Sequence, residues 1–320
     1  MPQAVGRPAG DGRPAASGRR VHRTGAVESS TLANTHTVRR VERDADPIQP
    51  GNVAVVTGAA SGIGRALATA FADEGMRVVL ADIDEARLRA LESTLAEAGR
   101  DVHPVVCDTS SEASVQDLAR VTLERYGSAH VLCNNAGVVG KGDAWRGPFA
   151  NWEWVVGINL YGVVHGIRAF LPIMEDQGLG HIVNTASMAG LLAVPGQPPY
   201  NATKSAVVAI SESLFIELRQ SESPVRVSAL CPAFVKTNLM HGQQWDARLG
   251  PEPPPSETAA NRAMEEYFEQ GVEHGVEPAI VAAEVIDAIR QGRFWILTHP
   301  EARHAPVERM RKAQRQENPA

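Results

Sequence analysis

Lysine and cysteine are scarce in this chain, and no apolar run is long. The 320 residues hold 4 Lys beside 27 Arg and only 3 Cys, at positions 107, 133 and 231. Three cysteines, odd in number and widely spaced, make no disulfide framework. They lie in apolar runs (VVCD, VLCNN, ALCP), where a free thiol behaves as a small buried hydrophobe. A reducing, cytoplasmic setting is the expectation. No stretch approaches the roughly 18 to 20 consecutive apolar residues of a membrane helix, so no membrane span is expected. A formal net charge of −6 lacks the basic face that phosphate neutralisation needs, which argues against a nucleic-acid partner. At 43% hydrophobic and 21% charged, the composition excludes a wholly disordered chain, a collagen and a coiled coil.

The charge is uneven. Residues 1–46 carry 8 Arg against 5 acids, a net +3 that leaves −9 for the other 274 residues. This leader is rich in Pro, Gly, Ala, Ser and Arg and poor in large apolar residues, so it buries too little to offset its ordering entropy. A disordered extension is expected; an Arg-rich transit peptide is the alternative, without an apolar face at helical spacing to support it.

From residue 52 apolar runs of strand length alternate with helical stretches. The strand candidates are 53–57, 77–81, 102–107, 130–133, 181–185, 225–230 and 294–297. Between them, segments such as 63–74, 85–98 and 111–125 read as helices, several stopped by Gly75, Gly99 or Gly127. Continuous Val/Ile/Leu strands in βαβα order imply a parallel sheet covered on both faces. The expectation is a single doubly wound α/β domain over 47–298, with seven parallel strands.

Two features of the first half point to a nucleotide. Gly58, Gly62 and Gly64 lie between a buried strand and an amphipathic helix, where backbone N–H groups of a tight turn can cradle a pyrophosphate at the positive end of the helix. Asp82 ends the second strand 18 residues after Gly64, near the offset of a carboxylate that accepts hydrogen bonds from ribose hydroxyls. That charge would repel a 2′-phosphate, and position 61 is Ser, not a cation, so the expected cofactor is NAD.

Downstream, Tyr200 and Lys204 stand i, i+4 on one face of a long helix. A phenol with an ordinary pKa near 10 is a poor base at neutrality, and a fixed ammonium beside it would favour the phenolate. With four Tyr and four Lys in the chain, a chance pairing at this spacing is uncommon.

Together these residues resemble the short-chain dehydrogenase/reductase family, in its single-domain form. The carriers are TGAASGIG at 57–64, Asp82, Asp108, NNAG at 134–137, Asn159 in GINLYG, Ser187 in NTASMAG and YNATK at 200–204, over about residues 52–298. The resemblance implies a Rossmann fold. It also implies catalytic roles for Asn159, Ser187, Tyr200 and Lys204. Tyr200 would be the acid/base. Lys204 would lower its pKa and bind the nicotinamide ribose. Ser187 would bond the substrate oxygen, and Asn159 would hold a water leading from Lys204. The cofactor set it implies is Gly58, Ser61, Gly62, Ile63, Gly64, Asp82, Asp108, Thr109, Asn135, Ala136, Gly137, Tyr200, Lys204, Pro232 and Thr237. Where the family has Pro-Gly after the sixth strand, this chain has Pro232-Ala233, so Ala233 must avoid a positive φ or accept a cost of about 1 kcal/mol.

Residues 238–277 read as a substrate loop or lid, with a short helix around 258–270. Met240, Trp245 and Leu249, with Leu191, Leu192, Val194 and Trp145, would wall an apolar pocket for a lipophilic alcohol or ketone. His241, His299 and His304 have no ligand-like spacing, so no metal site is expected, and residues 299–320 read as a basic tail. The resulting expectation is an NAD-dependent oxidoreductase interconverting a secondary alcohol and a ketone. The alternatives are an NADP-dependent carbonyl reductase of the same family and a catalytically silent NAD-binding sensor or scaffold. Surplus apolar residues on helices 151–176 and 200–221 point to a homodimer or homotetramer.

Overall fold

The computed structural model describes residues 46–240, 245–254 and 259–319. The leader up to residue 45, and His241, lie outside the described residues.

Seven strands, β1 (Val53–Thr57), β2 (Arg77–Asp82), β3 (Val102–Val106), β4 (Val131–Asn134), β5 (Gly180–Thr185), β6 (Val225–Leu230) and β7 (Trp295–Ile296), form one parallel sheet in the order β3-β2-β1-β4-β5-β6-β7. The helices are α1 (Gly62–Asp73), α2 (Glu85–Glu97), α3 (Glu112–Tyr126), α4 (Ala150–Val156), α5 (Gly162–Asp176), α6 (Met188–Leu191), α7 (Pro198–Gln220), α8 (Ala259–Glu273), α9 (Pro278–Gln291) and α10 (His304–Gln314). A π-helical turn, Gly157–Tyr161, joins α4 to α5.

Strand residues point alternately to the two faces, and both faces are covered, which is why the strands read as unbroken apolar runs. Ala54 and Val56 of β1 join Leu67 and Phe71 of α1, Leu88 of α2 and Val285 and Ile289 of α9 on one side. Val53 and Val55 join Leu118 of α3, Phe170 and Met174 of α5 and Leu214 of α7 on the other. The doubly wound architecture read from the sequence is therefore the observed one.

Element ends shift by one to three residues from those expected, and the short helix expected around 258–270 runs to Glu273. Pro104 lies in β3, an edge of the sheet, where a missing N–H is tolerated. β7 is only two residues long, although Phe294 and Ile296 still accept from Ala229 and Cys231 of the β6 side.

The stretch Ala150–Asp176 is 27 residues long and, by length and composition alone, apolar enough to cross a membrane. Here it is a core helix, with Trp154, Val155, Phe170 and Met174 buried. Residues 299–320, read as a tail, open with a buried His299 and continue into α10, where Arg309 donates to the Leu191 carbonyl at 2.9 Å. Cys107, Cys133 and Cys231 are free and buried.

Strand order reverses between β1 and β4, and the crevice outside the carboxyl ends of parallel strands at such a switch point is where ligands bind in open α/β sheets.

Candidate active site

A cavity of about 970 Å³ opens along that crevice, at the upper end of the range for small-molecule sites. One end is built by the β1–α1 turn. α1 begins without a side-chain cap, and Ser61, Gly62 and Ile63 line the cavity, so the helix's first turn faces the space. Gly58 lines it too, whereas Gly64 stands behind. A Cβ on Gly64 would lie 2.0 Å from the Gly58 carbonyl oxygen and 2.6 Å from Asn135 Nδ2, so only glycine permits this closure.

Thr57, which the sequence reading did not assign, holds that turn to β4. Its hydroxyl accepts from the N–H groups of Asn135 (2.9 Å) and Ala136 (3.1 Å) and donates to the Cys133 carbonyl (3.3 Å). Asn135 Nδ2 returns to the Thr57 carbonyl at 3.0 Å. Asn135, Ala136 and Gly137 thereby line the cavity floor.

At the same end, the carboxylate of Asp82 is fixed by backbone. One oxygen accepts from Ala60 N at 2.9 Å and the other from Asp84 N at 3.0 Å. Arg87, in the first turn of α2, lines this end as well, a cation that inspection of the glycine turn alone missed. Asp108 and Thr109 follow β3 on the cavity wall. Burial pushes the Asp108 carboxyl up, but hydrogen bonds from Ser110 and from Arg248 outweigh it and hold the group below the usual carboxylate range. Arg248 reaches Asp108 at 2.7 Å from the 238–277 segment and also pairs with Asp246. Trp245 of the same segment packs on Trp154, ring centroids 5.1 Å apart. The described part of the loop thus lies across the cleft.

The other end gathers Ser187, Tyr200 and Lys204. Ser187 follows β5 and starts α6, its hydroxyl accepting from Ala189 N at 3.1 Å and reaching the Pro232 carbonyl at 3.4 Å. Tyr200 and Lys204 sit on the first two turns of α7. Lys204 is 3% exposed and donates to the Thr185 carbonyl at 2.7 Å, with its ammonium 5.5 Å from the Tyr200 ring centre. Burial brings the ammonium down to about 8. The half-buried Tyr200 ring lines the cavity wall. Burial pushes its phenol above the ordinary value, against a lowering hydrogen bond with Ser187. The sequence argument expected the neighbouring ammonium to lower the phenol. Desolvation dominates instead, and the Lys204 ammonium donates to the Thr185 carbonyl.

Asn159 does not line the cavity. It lies in the π-helical turn, fully buried, with Oδ1 accepting from Val138 N (2.8 Å) and Nδ2 donating to the Val138 carbonyl (2.8 Å) and Thr203 Oγ1 (3.3 Å). Its amide is spent on the backbone that follows NNAG, directly behind Gly137 and Lys204.

Pro232 and Thr237, after β6, complete this end, and Ala233 has no positive φ, as the Pro-Ala substitution requires. Of the apolar residues expected to wall the substrate region, Leu192, Val194, Met240, Trp245 and Leu249 do so, joined by Phe234, Tyr267 and Phe268. Trp145 instead stands 74% exposed against Trp152, and Leu191 packs into the core beside α7. Gln197 is a polar wall group the sequence reading missed; its Oε1 accepts from Gly140 N at 3.0 Å. Among the described residues, no three His, Cys, Asp or Glu side chains gather as a metal site.

The family model for short chain dehydrogenases matches residues 52–247. This chain belongs to that family. A solved short-chain dehydrogenase/reductase from Burkholderia phymatum, in complex with NAD, is 42% identical and superposes with a TM-score of 0.81, over 86% of this chain and 98% of that one. A CLA biosynthesis dehydrogenase/reductase of Lactiplantibacillus plantarum is 34% identical over 78% of this chain and 88% of its own length. A 1-deoxy-11-beta-hydroxypentalenate dehydrogenase of Streptomyces avermitilis is 43% identical over 61% and 72% respectively. The chain is thus an oxidoreductase of the short-chain dehydrogenase/reductase family, with a nicotinamide dinucleotide as its cofactor class.

Proposed function

We propose that this short-chain dehydrogenase uses NAD to interconvert a secondary alcohol and a ketone on a lipophilic small molecule. The observation that carries the reading is one cavity with Asp82 fixed at one end and Ser187, Tyr200 and Lys204 gathered at the other, under apolar walls. The uncapped start of α1 and the cradle closed by Gly64 fit a pyrophosphate. When bound, the dinucleotide supplies the acceptor or donor of hydride.

The remaining chemistry falls to the chain's own side chains. Tyr200 exchanges the hydroxyl proton with the substrate oxygen. Its phenol, kept protonated by burial, is ready to donate to a carbonyl; in the oxidative direction, the buried Lys204 ammonium stabilises the phenolate. The Ser187 hydroxyl hydrogen-bonds the same oxygen as charge develops on it. Asn159 acts as a positioning residue, fixing the Val138 backbone behind Lys204. Asp82 accepts the adenosine ribose hydroxyls and repels a 2′-phosphate, which favours NAD.

A second reading, preference for NADP, is supported by Arg87, which lines the same end and could meet a 2′-phosphate. Asp82 opposes it. The relatives named as dehydrogenases support oxidation of a hydroxyl group, and the walls of Leu192, Val194, Met240, Trp245 and Leu249 support an apolar substrate.

The test is a panel of secondary alcohols of rising length and ring content with NAD and, separately, NADP, following reduced nicotinamide by absorbance. The reading expects turnover with NAD that improves with apolar bulk. No turnover with any alcohol, or turnover confined to small polar ones, would overturn it.

A further inference from the structure

We propose that His299 is a positioning residue for the nicotinamide end of the site, an inference that rests on the dinucleotide reading above. His299 follows β7, is 7% exposed and lines the cavity. It makes hydrogen bonds to two consecutive peptide groups of the loop after β6. Ala233 N donates to His299 Nδ1 at 3.1 Å, and His299 Nε2 faces the Phe234 carbonyl at 3.0 Å. An amide N–H can only donate and a carbonyl can only accept. These partners therefore fix the ring as the neutral tautomer with its proton on Nε2. Thr298 Oγ1 lies 2.9 Å from the same Nδ1 and shares its lone pair.

The loop so held touches both halves of the site. The Pro232 carbonyl accepts from Met188 N at 2.9 Å and meets the Ser187 hydroxyl at 3.4 Å. Further along, the Thr237 methyl packs against the glycine turn, where a Cβ on Gly62 would come within 3.0 Å of it. The Phe234 carbonyl also accepts from Val276 N, so the staple is tied to a second anchor. The N–H that His299 captures is that of Ala233. The imidazole thus sets the distance between Ser187 and the turn that receives the dinucleotide. Loss of its two bonds would leave the Ala233 N–H unpaired and the Phe234 carbonyl held by Val276 N alone, freeing the loop to drift.

Three variants separate the bonds: His299→Asn retains an acceptor near Nδ1, His299→Gln retains a donor near Nε2, and His299→Leu removes both. Calorimetric titration with NAD and with ADP-ribose, which lacks the nicotinamide ring, reads the two ends of the cleft independently. For His299→Leu, the ADP-ribose Kd should stay within about twofold of wild type while the NAD Kd rises roughly tenfold. Its kcat on the best alcohol of the panel should fall by about 10- to 100-fold, the scale of an ångström-level misplacement. Asn and Gln should each recover part of the loss.

A folded variant, by thermal melting, with wild-type kcat and a wild-type ratio of NAD to ADP-ribose affinity would overturn the proposal. Should the Leu variant fail to fold, the Asn and Gln variants carry the same test, and wild-type values in both would overturn it. Wild-type protein that binds neither NAD nor ADP-ribose would overturn the dinucleotide reading itself. Wild-type protein that binds both, with unchanged variants, would overturn the role of His299 alone.

Discussion

Asp82 shows how one side chain can carry selectivity. Both of its oxygens are already anchored by backbone N–H groups, so the carboxylate cannot swing away from an incoming 2′-phosphate. NAD should be preferred over NADP by at least about tenfold in specificity, equivalent to about 1.4 kcal/mol. Asp82→Ala should narrow that ratio, because the phosphate then meets Arg87, still paired with Asp84 at 3.4 Å, without the Asp82 carboxylate in its way. Steady-state kinetics with both cofactors check this, and an unchanged ratio in the variant would remove Asp82 as the selector. Asp82, Tyr200 and Lys204 stand out in the sequence because each sits at a fixed offset from a strand or on one helix, whereas Ser187 is marked only by the family resemblance. Arg87, Arg248, Gln197 and His299 were not. Their importance comes from what the fold brings near them, and neither spacing nor composition encodes that.

At the scale of elements, the β1–α1 turn and the centre of the sheet make separate predictions. Gly64→Ala would drive a Cβ into the Gly58 carbonyl, a backbone atom that cannot move without opening the turn. A stability loss of about 1–3 kcal/mol is expected by denaturant unfolding, with loss of NAD binding by titration. Normal affinity in this variant would show that the turn does not cradle the ligand.

In β5, His181 is fully buried, and burial, aided by Arg226, brings its imidazole down to about 3. Its folded-state pKa is depressed below the unfolded value, so the unfolded chain binds the extra proton. Stability is therefore retained above about pH 6.5 and lost progressively toward pH 3. Between pH 7 and pH 5 the loss should be on the order of 2 kcal/mol. His181→Gln should flatten that slope in urea titrations at the two pH values; equal slopes would refute the assignment. The existence and type of these elements could be read from continuous apolar strand runs separated by helical stretches. The π-helical turn around Asn159 could not, since 157–161 continues the helical pattern on either side.

At the scale of the molecule, the seven-strand order follows from the βαβ rhythm, and the cleft follows from the order. Assembly is a proposal of the same kind. Tyr161 on the π-helical turn and Ile216 on α7 stand 53% and 54% exposed, with Val156, Leu160 and Val164 half-buried on the adjoining stretch. Two-fold packing of these helices would cover them. Light scattering should give a dimer or tetramer at micromolar concentration, and a mass near the 34.3 kDa of one chain would contradict this.

The central claim, proton exchange by Tyr200 in NAD-dependent alcohol oxidation, is tested most directly by Tyr200→Phe, which keeps the ring and removes only the exchangeable proton. Wild-type and variant rates should be compared on the best secondary alcohol at saturating NAD, with NAD affinity measured in parallel. The account predicts a fall in kcat of at least about 100-fold with NAD affinity preserved. A variant with near-normal kcat would contradict it.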